Sequence, residues 1–158
     1  MKIDEIHARL LKQFGDCAIA PLAVPEAGDP YITISPEAFH AVCRWLRDES
    51  EMAFDYLRLI SGVDWTDRFG SVYHLYSYTR GHSVTLHVDL PREAPRVASV
   101  ADVWPTADWH EREAYDLVGI VYEGHPELAR ILLPDDWEGH PLRKDYRMPE
   151  EYHGVCNV

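Results

Sequence analysis

Apolar positions recur along this chain at two periods, and the change from one to the other divides it. Between Asp4 and Phe14, the residues Ile6, Leu10, Leu11 and Phe14 fall at helical spacing, with Asp4 as the expected cap and Gly15 as the stop. Pro21, Pro25, Gly28 and Pro30 then mark a connecting loop. A second helix opens with Ser35 as cap and Pro36 at its first position, and Phe39, Val42, Cys43 and Leu46 form its apolar stripe. Within that stripe Cys43 reads as a small core residue.

From Tyr56 the period shortens to that of a strand. Residues 56–60 read as one strand ending at Ser61-Gly62. A hairpin follows, its strands at 72–79 and 82–90 joined by a two-residue loop, Arg80-Gly81, with glycine where positive φ is needed. In the second of these strands Val84, Leu86, Val88 and Leu90 alternate with Ser83, Thr85, His87 and Asp89, so one face is packed and the other is wet or covered by something else. The first strand places Tyr73, Leu75, Tyr76 and Tyr78 on both faces, which fits either strand preference or a docking surface.

Beyond Pro91 and Pro95, a short helical start at 99–104 is cut by Pro105, and a stronger helix over 107–117 is closed by Gly119. Ile120-Val121-Tyr122 reads as a short strand and Ile131-Leu132-Leu133 as a second apolar run. From Pro134 the pattern dissolves into prolines and charges, so this tail is expected to be disordered or to lie along another surface. The fold class is α+β. A two-layer domain over 1–133 combines N-terminal helices, a mixed or antiparallel sheet with the hairpin at 72–90, and the helix at 107–117; residues 134–158 form an extended C-terminal arm.

Composition narrows the function. A chain of 158 residues buries about 70% of its unfolded surface, enough for one unstapled domain. Fifteen Lys and Arg against 27 Asp and Glu give a net charge of −12, which makes nucleic acid a poor partner. No stretch approaches the ~20 apolar residues that span a bilayer, and the opening Met1-Lys2-Ile3-Asp4-Glu5 lacks the apolar core of a secretion signal. The chain reads as cytosolic, at a membrane only by being held there. Its three cysteines, Cys17, Cys43 and Cys156, form no close Cys-x-x-Cys pair, and neither glycine-rich nucleotide motif occurs. The expectation is a chain with no electron carrier and no phosphate loop of its own.

The densest chemistry is Trp109-His110-Glu111-Arg112-Glu113-Ala114-Tyr115-Asp116. A zinc-protease helix needs a second histidine four residues after the first, and Ala114 stands there. Carboxylates on successive turns do not by themselves converge across a cleft as acid–base pairs must. The plain reading is a charged helix satisfying its own ion pairs, Arg112 with Asp116. Glu-Gly-His-Pro occurs at 123–126 and again at 138–141, setting His125 and His140 on turns with rigid exits; with no third ligand at convincing spacing, turn chemistry outweighs metal. The run Leu142-Arg143-Lys144-Asp145-Tyr146 is either a solvated tail or an arm. In the second case Arg143 and Lys144 pair with a partner's carboxylates, and Trp137 and Tyr146 are aromatic anchors.

Taken in order, Val103-Trp104-Pro105, the run from Trp109 to Ile120, Glu123-Gly124-His125-Pro126, Arg130-Ile131-Leu132 and the run from Pro134 to Tyr146 resemble the thirty-kilodalton (C) subunit of proton-pumping NADH–quinone oxidoreductase, respiratory complex I. Ser61-Gly62-Val63-Asp64 and the hairpin extend the likeness to residues 56–146, while 1–55 agree only in general layout. Two positions depart from the family pattern. Ala129 replaces a second basic residue beside Arg130, which puts one ion pair in doubt, and Arg147 stands where proline is frequent.

The resemblance implies a subunit without catalytic residues, metal or cofactor, with FMN, iron–sulfur clusters and quinone carried by partner subunits. It implies a place in the peripheral arm on the cytoplasmic side of the membrane (the matrix side in mitochondria), against the D subunit and the neighbouring connecting subunits. The arm at 134–158 would then dock on those partners. Glu111, Arg112, Glu113 and Asp116 would form a network pinning helix to arm with Arg143 or Lys144. His125, Arg130, Trp137, His140, Asp145 and Tyr146 complete the signature. Equivalent subunits occur in membrane-bound hydrogenases, formate hydrogenlyases and complexes fed by other donors. A free-standing metal-dependent hydrolase and a redox-inert adaptor outside any respiratory complex are the readings from other classes.

Overall fold

The structure, a computed structural model, describes residues 1–156; the last two residues of the expected arm lie outside it. Helix α1 (Ile3–Phe14) buries Ile6 and Leu10, and α2 (Pro36–Asp48) buries Phe39, Val42, Cys43 and Leu46, the stripes their spacing demands. Ser35 and Pro36 open α2, and Gly15 ends α1 at a φ of +81°. The N-cap of α1 is Lys2, whose backbone N–H donates to the Glu5 carboxylate at 3.0 Å. Asp4, the expected cap, falls inside the first turn, where its charge still meets the positive end of the helix dipole.

Four strands make a mixed sheet: β1 (Ile32–Thr33), β2 (Tyr56–Asp64), β3 (Phe69–Ser77) and β4 (His82–Leu90), in the order β1–β4–β3–β2. Only β1 runs parallel to its neighbour. Two strands differ from expectation. After a bulge between Leu57 and Leu59, β2 continues through Ser61 and Gly62 to Asp64. Gly62 is not a strand end but a point of close approach, where an added Cβ would lie 3.2 Å from the Cβ of Ala114.

The hairpin begins pairing at Phe69, earlier than Val72, and its loop runs over Tyr78, Thr79, Arg80 and Gly81. The longer loop has a remote cause. The Asp55 carboxylate accepts the Tyr78 N–H and the Thr79 hydroxyl, each at 2.9 Å, and Ser77 Oγ accepts the Arg80 N–H at 3.0 Å.

Helices α2 and α3 (Ala107–Val118) cover the sheet face that carries Ser71, Tyr73 and Leu75. The Phe39 ring lies 4.4 Å from Tyr73, and Ala114 meets Gly62. Val72, His74, Tyr76, Thr85 and His87 alternate onto the other face, which no helix covers among the described residues. A short parallel ladder, β5 (Arg96–Ala98) with β6 (Val121–Glu123), flanks α3. Residues 99–104 hold a single helical turn, the Val103 and Trp104 N–H groups both donating to the Val100 carbonyl, and the turn goes no further before Pro105; Glu111 holds Ser99 and Val100 at its start. The described residues end in a small hairpin, β7 (Glu151–Tyr152) with β8 (Val155–Cys156).

The approach of α3 to β2 depends on the missing side chain at Gly62. Gly62→Val overpacks this contact and is expected to lower stability by about 1–3 kcal/mol, read from the midpoint of urea melts.

Candidate functional site

Two carboxylates of α3, Glu111 and Asp116, are fully buried, and each fixes a different segment of chain. Asp116 Oδ2 accepts three successive backbone N–H groups, from Ile131 at 3.0 Å, Leu132 at 2.8 Å and Leu133 at 3.0 Å. Its Oδ1 accepts Arg130 Nη1 at 2.7 Å. Burial alone pushes the Asp116 pKa up, but the three amides and the guanidinium outweigh it and hold the carboxyl below the ordinary range. Three consecutive amides converging on one oxygen cannot alternate as a strand does, so the apolar run 131–133 forms no strand.

Arg130 spreads its other donors over the carbonyls of Trp137 and Gly139, both at 3.0 Å. One planar cation thus joins helix, loop and arm. The expected Arg112–Asp116 pair does not form. Arg112 donates instead to the Ala129 carbonyl at 3.2 Å and stacks 5.7 Å over Trp109. Because that contact uses backbone, the absence of a basic side chain at 129 leaves it intact.

The last carbonyls of a helix lack partners within it, and here the arm supplies them. His140 Nδ1 donates to the Asp116 carbonyl at 2.9 Å, the Leu142 N–H to Leu117 at 2.9 Å, and Arg143 Nε to Val118 at 2.6 Å. A cation there also meets the negative end of the helix dipole. Gly119 makes the approach possible: its φ is +82°, and a Cβ would run into the Arg143 guanidinium and the His140 ring. Burial lowers the pKa of both His140 and Arg143.

A second anchor stands at the end of β2. Asp64 accepts Arg92 Nη1 at 2.7 Å, the Thr66 N–H at 2.8 Å and the Lys144 N–H at 2.9 Å, and the Arg92 bond holds its pKa well below the carboxylate range. Arg92 also reaches Asp145 at 2.8 Å. The Arg92 and Arg143 guanidinium groups flank the Phe69 ring at 4.7 and 4.8 Å. Lys144 Nζ meets the Thr66 hydroxyl at 3.0 Å. Arg143 and Lys144 therefore bind carbonyls and a hydroxyl, not the carboxylates of α3.

The expected four-residue network is split. Glu111 faces the opposite way, accepting the Ser99 hydroxyl at 2.6 Å and the Val100 N–H at 2.8 Å, and burial raises its pKa to about 7. Glu113 is exposed and makes no ion pair among the described residues. The two Glu-Gly-His-Pro turns share a backbone form, Gly124 and Gly139 both having φ of +82°. His125 Nδ1 accepts the Glu127 N–H at 3.0 Å, so Nε2 carries the proton toward the Asp108 carbonyl at 3.2 Å. The Trp137 ring lies 4.9 Å from Tyr152, and Tyr146 packs beneath Gly139. Among the described residues no three His, Cys, Asp or Glu side chains converge as a metal site.

Sequence reasoning assigned no role to Asp64, Arg92, Ser99 or Gly119 in this arrangement. Asp64 and Lys144 are 80 residues apart, and no local pattern announces such a pair. The one available signal was Gly119 itself, a helix stop that also has to admit two bulky neighbours.

Residues 32–152 match the family model described as the 30 kDa subunit of respiratory-chain NADH dehydrogenase. The chain belongs to this family. The match begins upstream of the region where motif likeness is legible by eye. The C subunit of NADH-quinone oxidoreductase from Chloroherpeton thalassium is 50% identical over 129 residues, covering 80% of this chain and 54% of that protein. The C subunit from Chlorobium phaeobacteroides is 41% identical over 147 residues, covering 91% and 88%. This chain spans about half the length of several curated family members it matches.

Among solved structures, the trypsin-resistant fragment (1-134) of Nqo5 matches 81% of this chain and 100% of its own, with a TM-score of 0.66 and 29% identity. A chain of the membrane-bound sulfane sulfur reductase, an archaeal respiratory membrane complex, matches 94% and 87%, with a TM-score of 0.75 and 25% identity. Family membership and the α+β architecture of the Nqo5 fragment thus agree with what the motifs imply. Among the described residues no helix is long and apolar enough to cross a membrane.

The two buried carboxylates respond differently to substitution in this family member. Asp116→Ala takes from Arg130 its carboxylate and leaves three amides unpaired, and is expected to cost about 3–5 kcal/mol and to make residues 130–146 sensitive to limited proteolysis. Glu111 retains its proton in the fold at pH values where the unfolded chain has lost it. Stability therefore falls as pH rises from about 4.5 through 7, by on the order of 3 kcal/mol. Glu111→Gln is expected to flatten that slope in urea melts across the same range.

Proposed function

We propose that this chain is a structural subunit, with no prosthetic group or catalytic residue of its own, in the peripheral arm of a proton-pumping NADH–quinone oxidoreductase. The observation that carries the reading is the family match over residues 32–152, with relatives from the same enzyme 41% and 50% identical. In this reading FMN, iron–sulfur clusters and quinone belong to partner subunits. The chain sits on the cytoplasmic side of the membrane against the D subunit and the connecting subunits. Its contribution is a rigid shape: the arm at 134–146 is ordered on α3 before any partner arrives, so binding need not meet the entropy cost of ordering it.

A second reading has its own support. The likeness to a chain of the sulfane sulfur reductase complex favours an equivalent subunit in a related membrane-bound respiratory complex. Affinity purification from mild-detergent membranes separates the two. The first expects a flavin-binding, NADH-oxidising subunit among the co-purifying proteins; the second expects a different catalytic subunit, such as a nickel–iron one. A free-standing metal-dependent hydrolase predicts stoichiometric metal and turnover in the purified chain.

Arg112→Ala removes the bonds to the Ala129 and Arg130 carbonyls at the start of the loop and is expected to lower the amount of assembled complex. Turnover per assembled complex should be unchanged. Full assembly with lost turnover would refute the structural role.

A further inference from the structure

The strand β2 lies at the sheet edge and pairs on one side only. Among the described residues, no backbone group from 57 to 63 bonds to anything but β3. Such edges recruit other strands unless charge, proline, a bulge or a covering element blunts them. β2 has this protection at its start. The bulge sits at Arg58, whose guanidinium lies 4.3 Å over the Tyr76 ring and has no carboxylate partner among the described residues. Past the bulge, Leu59-Ile60-Ser61-Gly62-Val63 contains neither charge nor proline.

Beside this unguarded stretch runs a groove of about 330 Å³. Leu59 and Gly62 form one wall, His110, Glu113 and Leu117 of α3 the other, and exposed Leu142 stands at the rim. No β3 residue lines it, so it opens along the free edge. The groove is preformed, because the Gly62–Ala114 contact and the arm fix α3 over β2. Glu113 has no cationic partner among the described residues, in a chain of net charge −12. The complementary charge at this rim is positive.

We propose that the β2 edge at 59–63, together with the β2–α3 groove, receives an extended segment of a neighbouring subunit. That segment adds a strand to the sheet, seats an apolar side chain between Leu59 and Leu117, and presents a Lys or Arg to Glu113. Main-chain pairing gives the affinity, and the alternate side chains give the specificity. A second copy of this chain fits less well, since it brings like charges together. The inference rests on membership of a respiratory complex and names the surface through which that membership is realised.

Amide hydrogen exchange on the chain alone and within the purified complex tests it. Residues 59–63 are expected to exchange about 10-fold or more slowly in the complex. Glu113→Lys and Leu59→Lys, both at exposed positions, are expected to reduce retention of the chain in the complex and to leave its own melting unchanged. An assembled complex in which 59–63 exchange as in the free chain overturns this inference alone. Protection that grows with the concentration of the isolated chain assigns the edge to a second copy and overturns it too. Failure to co-purify with any respiratory subunit overturns the complex reading, and this inference with it.

Discussion

The loop and arm that follow α3 depend on one buried negative charge. Asp116 is excluded from water, so it has to be compensated completely, and the compensation comes from sequence after the helix: three amides at 131–133 and the guanidinium of Arg130. A carboxylate cannot be left half-paired in such a site. The loop is therefore drawn into one conformation, and Arg130, once placed, dictates where Trp137 and Gly139 put their carbonyls. Asp64 repeats the logic at the end of β2, with Arg92 linking it to Asp145.

This changes the meaning of a charged family signature. Charges in a segment without an apolar stripe invite a reading as contacts for someone else. Here Arg130, His140, Arg143 and Lys144 are largely spent on the chain's own carbonyls, carboxylates and hydroxyls. What remains for an outside surface is a different set: Trp109, Leu132, Leu142 and Glu113, together with the open sheet edge. The internal charges set the shape, and the residues they leave over meet the solvent or a neighbour.

How far the sequence was legible follows from the range of each interaction. The second helix was fully readable because Ser35, Pro36 and its apolar stripe act within a few turns. Alternation located β4 to the residue, while the hairpin loop was misjudged because Asp55, its organiser, lies outside the hairpin. Gly62 looked like punctuation and is a packing contact, a distinction that appears only when Ala114 is brought opposite. Arg112 and Asp116 have ideal helical spacing for an ion pair. Spacing lost to burial, since Asp116 could collect four donors at once from one loop, three of them backbone amides that leave no trace in residue types. The order of motifs reached the family correctly even though the roles of single charges did not follow from it.

The coupling of Asp64 to Lys144 has a temporal side. At about 5–20 residues per second, a ribosome adds the intervening 80 residues in about 4–16 s. Once Leu90 has been added, about 3–11 s of that interval remain, during which the three long strands can already be paired, but the carboxylate closing β2 awaits one of its donors and the C-terminal carbonyls of α3 stay open. The nascent chain thus passes through a stage with a finished sheet and an unsealed helix, a window during which chaperones or proteases meet it in unequal states of completion.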